Sequence, residues 1–364
     1  MASPATMRPA RRVAHHLICC QRRSFTLSAP LRTQQLTAKD AAARMMDDFG
    51  GKSVTRRQLI DANQLQKLAL TLGRPQLATG VDVSEAPPPQ GTPVPPGYHL
   101  VYFTPDGVEA QLGRDGTDRT FNAPSPFTRR MWAGGIMTWP GAGSSSSAGK
   151  NSPLLRVGDV AEERTRLLSA TAKRSRSAGE MVLVEVEKEF WTPRGLALVD
   201  RRSWVFRPEL DLTGAEMEKP KALLNANARA PTEVVDLAGE EDGQGAPVRQ
   251  FRWSPTGLFR FSALTFNGHK IHYNEDWTQR VEGHPGLVVH GPLNLINMLN
   301  YWRDVHGDGK NPHSISYRAM SPVYAGETYL VRTEGSDDTA EGRVWDVLVD
   351  KNGVVCMKGQ VLSK

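Results

Sequence analysis

The feature that most constrains this chain is a pattern that occurs twice. Residues 181–190 alternate apolar and charged side chains, 192–195 break the alternation, and 196–206 resume it. Residues 345–350, a break at 351–353 and residues 354–362 do the same. Alternation with a period of two puts every second side chain on one face, so each segment predicts an antiparallel hairpin with one face buried. A glycine–acid pair precedes each hairpin, Gly158-Asp159 in the first and Gly326-Glu327 in the second. The repeated order predicts a duplicated unit. Residues 208–248, acidic, rich in Ala, Gly and Pro and without periodicity, read as the linker between the copies.

Helical signals are fewer. Leu65, Leu68, Ala69 and Leu72 predict a short helix that stops at Gly73-Arg74-Pro75. A longer one begins at Pro292, whose missing N–H costs nothing in a first turn. It continues through Leu295, Met298, Leu299, Trp302 and Val305 to His306-Gly307. Residues 83–97 are proline-rich and extended, 98–103 alternate like a strand, and 141–149 form a Gly/Ser loop. One long apolar helix ahead of antiparallel strands is an α+β arrangement.

Charge is distributed unevenly. Residues 1–39 hold Arg8, Arg11, Arg12, Arg22, Arg23, Arg32 and Lys39 and no acid. Without them the body of the chain is near neutral, despite a formal charge of +6 for the whole. Nucleic-acid binding therefore has no electrostatic basis. An Arg-, Ser- and Ala-rich, acid-free start predicts a mitochondrial transit peptide over residues 1–39, and hence a matrix protein. No apolar run is long enough to span a membrane. Of 3 cysteines, Cys19 and Cys20 fall in that leader, which leaves Cys356 alone and excludes a disulfide frame or a cysteine zinc site. Dinucleotide, Walker A, His-Glu-x-x-His and Gly-x-Ser-x-Gly motifs are absent.

The chemistry concentrates between residues 259 and 293, FRFSALTFNGHKIHYNEDWTQRVEGHPGLVVHGPL. The stretch Asn267-Gly268-His269-Lys270-Ile271-His272 resembles the active-site signature of the hydratase-2, or MaoC-like, branch of hotdog enzymes. That signature is an Asp, any residue, Asn-Pro, an aliphatic residue and His. Val288-Val289-His290-Gly291 resembles a second hallmark, an apolar run into His-Gly at the start of a central helix. Within the branch, the chain is most similar to mitochondrial 3-hydroxyacyl-thioester dehydratases of type 2, from fungi and animals, and to mesaconyl-CoA hydratases. The stretch Arg129–Gly135 around Trp132 is similar to theirs as well. The resemblance implies a double hotdog, two units each with a long helix wrapped by a curved antiparallel sheet. It implies a non-catalytic unit at 40–207 that shapes an acyl tunnel and a catalytic unit at 249–364. Such a protein can be a monomer or a homodimer.

By that resemblance His272 is the catalytic histidine, and Asn267 stands where the family has an Asp. Dehydrating a 3-hydroxyacyl thioester needs a base for the C2 proton, an acid for the leaving hydroxyl and donors for an enolate oxygen. Imidazole can serve the first two needs. Gly291, at a helix N-terminus, offers a free N–H and room for the thioester oxygen. Asn267 cannot exchange a proton but can hold the hydroxyl. His290, Val289, Tyr273, Arg260 and Trp132 are further candidates for substrate contact. The expected substrate is an acyl thioester on acyl carrier protein or CoA, with no metal or redox cofactor. A hotdog thioesterase or a non-catalytic acyl-binding protein are the readings from other classes.

Overall fold

The computed structural model describes residues 36–142, 152–176, 179–209, 230–238 and 247–364. The leader, apart from residues 36–39, and most of the Gly/Ser loop lie outside these residues. Helix α1 (Ala38–Phe49) opens the described chain, capped by the Thr37 hydroxyl, so residues 36–39 belong to the folded body. Its small-residue face, Ala38, Ala41, Ala42 and Met45, is buried against Val182, Val184 and Val186.

Strand β1 (Ser53–Leu59) and helix α2 (Ala62–Thr71) follow, then a small hairpin of β2 (Gln76–Ala78) and β3 (Val81–Asp82). Four long strands complete the first half: β4 (Arg129–Thr138), β5 (Val160–Ser175), β6 (Gly179–Thr192) and β7 (Gly195–Arg207). The second half has β8 (Glu233–Leu237), β9 (Val248–Arg252), α3 (Pro255–Leu264), the short α4 (Glu275–Arg280) and α5 (Gly291–Val305). It closes with β10 (Ser314–Ala319), β11 (Thr328–Thr339), β12 (Gly342–Lys351) and β13 (Val354–Ser363). Both expected hairpins form, β6–β7 and β12–β13.

All strands except β2 and β3 join one 11-stranded antiparallel sheet in the order β1-β5-β6-β7-β4-β10-β13-β12-β11-β9-β8. Read outward from the β4–β10 seam, the two halves list corresponding strands in the same sequence, and β8 is an extra edge. The glycine–acid pairs are equivalent in detail. Gly158 donates its N–H to Ile60, just after β1, and Gly326 donates to Trp253, just after β9. Asp159 and Glu327 each accept the backbone N–H of the residue three positions earlier, and each pairs with a cation near the hairpin turn, Arg194 or Lys351. Both glycines have left-handed φ, 90° and 80°, which a side chain would resist.

Two expectations change. Residues 98–103 form a 3₁₀ turn at Tyr98–Val101, not a strand. Gly97 at φ 83° and the Tyr98 N–H bonded to Pro95 tighten the chain there. The acidic stretch read as a linker contains β8, which pairs with β9 along five residues. Its charges are compatible with an edge strand, where one side meets solvent. The helices also differ in length. α5 has 15 residues, while α2 has 10, and from α2 to β4 the first half holds only the β2–β3 hairpin and short 3₁₀ turns. Among the described residues no helix is long and apolar enough to cross a membrane.

Candidate active site

Helix α3 ends at Thr265, and Phe266 at φ 49° reverses the chain into the Asn267–His272 loop. The Asn267 side-chain oxygen accepts the His269 N–H at 3.0 Å, and its backbone N–H donates to Ser262. From the other half, a turn at 113–117 packs against this loop. The Lys270 N–H donates to Asp115. Gly116 and Gly268 meet backbone to backbone so closely that a Cβ on Gly116 would stand 2.1 Å from the Gly268 carbonyl oxygen. A 3₁₀ turn, Lys270–His272, then aims His272 inward.

His272 is buried, and its Nδ1 lies 2.8 Å from the Val288 carbonyl. A carbonyl can only accept, so Nδ1 carries the proton and Nε2 keeps its lone pair. Burial pushes the His272 pKa down to about 3, helped by the charge of His269 and opposed by the Val288 bond. The imidazole is therefore neutral at physiological pH. His290 stacks on it face to face, with ring centroids 3.6 Å apart and 18° between planes. The Nε2 of His290 meets the Ser262 hydroxyl at 2.9 Å, while its buried Nδ1 has no partner among the described residues. Burial holds His290 well below the usual range as well, followed by the charges of His272 and His269.

His290 is the N-cap of α5, and Gly291 is its first residue. The Gly291 N–H has no hydrogen-bond partner among the described residues. Pro292 follows, so the helix end presents one open donor in line with the dipole. The space beside the Gly291 Cα is filled: a Cβ there would sit 2.4 Å from the Trp132 ring. The missing side chain thus admits an indole from β4, and this corrects the expectation that it simply leaves room for a thioester oxygen. Trp132 in turn stacks on Tyr317 of β10 at 4.8 Å.

These groups line a cavity of about 470 Å³. His272, Asn267, Gly291, His290, Val289 and Trp132 all border it. Two sequence candidates do not. Arg260 lies on the solvent face of α3, opposite buried Leu258 and Ser262, because helical periodicity turns it outward. Tyr273 is exposed and its hydroxyl donates to the Gly268 carbonyl at 3.0 Å, which holds the loop from outside. His284, next to Pro285, also borders the cavity. Arg129 is bound to Glu282 at 2.5 Å and Arg130 to Asp118, so both cations at this wall are already paired. Ser262 and the Asp115 turn carried no signal in the sequence, since nothing local marks a serine in a helix as a histidine's partner.

The fold and the site define a class: a MaoC-like double-hotdog hydro-lyase. Solved structures agree on the fold. A MaoC-like dehydratase from Phytophthora capsici superposes with a TM-score of 0.57 at 16% identity, covering 88% of this chain and 98% of that one. HtdX of Mycobacterium tuberculosis gives 0.53 at 15%, covering 86% and 100%. Residues 97–325 match the family model for hydroxyacyl-thioester dehydratase type 2, and the chain belongs to that family. A mesaconyl-C(4)-CoA hydratase of Chloroflexus aurantiacus is 32% identical over 244 residues, 65% of this chain and 75% of that protein. The mitochondrial hydroxyacyl-thioester dehydratase type 2 of Schizosaccharomyces pombe is 25% identical over 248 residues, 65% and 76% respectively.

Proposed function

We propose that this protein interconverts (3R)-3-hydroxyacyl and trans-2-enoyl thioesters in mitochondrial fatty-acid synthesis, with His272 as the single proton carrier. The observation that carries this reading is the His272 geometry. Its Nδ1–H is committed to Val288, so the bare Nε2 is available at the N-terminus of α5. In the dehydration direction Nε2 takes the C2 proton and the C–H electron pair passes into an enolate. The Gly291 N–H stabilises the enolate oxygen, reinforced by the helix dipole. The enolate then expels the C3 hydroxyl, which leaves as water with the proton from His272. Asn267 holds that hydroxyl. Its Oδ1 is engaged by the His269 N–H, which leaves the Nδ2 donor for the substrate oxygen. Trp132 covers Gly291 and excludes water from the reacting carbonyl.

The acid-free start of the chain and the mitochondrial relative support import into the matrix, with a cleaved leader that ends ahead of Thr37, the N-cap of α1. A boundary at Lys39 would remove the Thr37 cap of α1. We further assign the acyl-shaping role to residues 40–207 and the catalytic role to 249–364. A second reading, hydration of a small branched or dicarboxylic acyl-CoA, is supported by the 32% identity to the mesaconyl-C(4)-CoA hydratase. The deciding assay follows enoyl absorbance with crotonyl-CoA and with crotonyl carrier protein. His272→Ala is expected to lower hydration by about 10²–10⁴-fold. Full activity in that variant would sink the mechanism.

A further inference from the structure

Opposite the histidines, the cavity wall is the inner face of β5, β6 and β7. A pocket for plain hydrocarbon needs only apolar side chains there. Instead Glu163, Lys188 and Arg202 line it. Glu163 is 1% exposed, and the Lys188 and Arg202 side chains are 14% and 19% exposed. Charges this deep are costly unless paired. Lys188 is paired with Glu163 and lies 3.2 Å from the Thr165 hydroxyl. Arg202 meets buried Asp200 at 2.6 Å, and Asp200 also meets His99 at 3.3 Å. The pairing is incomplete. One oxygen of Glu163, one of Asp200 and the Tyr317 hydroxyl are buried with no hydrogen-bond partner among the described residues.

This cluster is tied to the reacting corner. Trp132 covers Gly291 on one side and stacks on Tyr317 on the other. Tyr317 pairs with Gly135 across the seam, and Gly135 pairs with Arg202. Trp132 and Tyr317 therefore link the Gly291 corner to the strands that carry the cluster.

We propose that Lys188, Arg202 and Glu163 form a subsite for an oxygen function, hydroxyl or carboxylate, at the distal end of a short acyl chain. This rests on the proposed hydration at His272 and, by naming a short oxygenated chain, takes the second reading of the substrate, a small acyl-CoA, at the same site. A hydroxyl accepts from Lys188 or Arg202 and donates to the free Glu163 oxygen. A carboxylate takes both cations. A methyl terminus offers these groups no hydrogen bond and takes them further from solvent. A CoA diphosphate is a poor occupant, because the cluster is enclosed and its four charges already cancel. The same balance favours the hydroxyl over the carboxylate.

The test compares three thioesters of equal length in the full-length protein: trans-2-hexenoyl-CoA, 6-hydroxy-trans-2-hexenoyl-CoA and trans-2-hexenedioyl-CoA. Expected is a kcat/KM about tenfold or more higher for an oxygenated chain than for hexenoyl. Which of the two leads identifies the oxygen function. The double variant Lys188→Met with Glu163→Gln removes the pair without stranding a charge, and the ratio should fall toward one. Arg202→Lys keeps the ion pair with Asp200 but withdraws the fork from the cavity. It should lower the same ratio if the double variant does not fold, as judged by its melting curve. Hexenoyl preferred or equal in the wild type, or a ratio unmoved in a folded variant, overturns the subsite and leaves the hydration reading intact. No hydration of any of the three overturns that reading and the subsite with it.

Discussion

In the proposed mechanism two side chains set the chemistry, and each has one half committed to the protein. His272 donates Nδ1–H to the Val288 carbonyl, and Asn267 Oδ1 accepts the His269 N–H. What remains for the substrate is a lone pair and an amide donor. Asn267→Asp preserves the loop-holding acceptor, so the loop should survive and hydration should stay within about tenfold of wild type. Asn267→Ala loses both functions, and kcat should fall by about tenfold to a hundredfold, the range of a lost hydrogen bond to a developing charge. Equal rates for the Ala and Asp variants would remove Asn267 from the mechanism. The histidines also make stability depend on pH. His272 and His269 have folded pKa values near 3 against 6.5 when free. The unfolded chain therefore takes up protons that the folded one refuses. Their stabilisation is complete above about pH 6.5 and is lost as pH falls toward 3, at about 1.4 kcal/mol per pH unit for each. The melting temperature should drop between pH 7 and 5, and His272→Gln should flatten that slope. An unchanged slope would show that His272 titrates normally.

The decisive contact between elements is β4 against the N-terminus of α5. Trp132 occupies the position where a side chain on residue 291 would be. Gly291→Ala should therefore cost about 1–3 kcal/mol through overpacking and displace the open N–H from the reacting carbonyl. Trp132→Leu in the Gly291→Ala background should recover much of the stability, measured by urea denaturation as a double-mutant cycle. Additive losses would mean that the two residues do not compete for one space. The helices also explain where the cavity lies. α5 fills the inner face of the second half, whereas in the first half α1 covers Val182, Val184 and Val186 of β6 and only α2 and short turns lie over the rest. The uncovered stretch of β5, β6 and β7 becomes the cavity wall.

At the scale of the molecule, the seam between β4 and β10 makes one sheet of two halves. Five residues of each strand pair there, from Ser314 opposite Thr138 to Arg318 opposite Gly134. Residues 247–364 expressed alone would leave β10 with an unpaired edge and α5 without Trp132. Light scattering should then find dimers or larger assemblies and no folded monomer, because open edges seek partners. A monomeric, folded half would overturn the argument. The second half supplies His272, Asn267 and Gly291, while the first contributes Trp132, the Asp115 turn and the charged wall.

Much of this was written in local sequence, for a physical reason. Side-chain alternation, helical spacing, Pro292 and the glycine–acid pairs act over a few residues, so the hairpins, α5 and the repeat could be read directly. His272 and Asn267 stand in one short motif and Gly291 in a second, so the proposed catalytic residues could be named from local sequence. Arg260 and Tyr273 share that neighbourhood but face solvent, since adjacency along a chain does not determine direction. Ser262 beside His290, Trp132 above Gly291 and the Lys188–Glu163 pair join residues far apart in the chain or on opposite sides of a turn. No local pattern encodes such meetings. Residues close together in the chain determined where the proposed water chemistry is placed. Only the closing of the sheet across its seam decided what that chemistry would face.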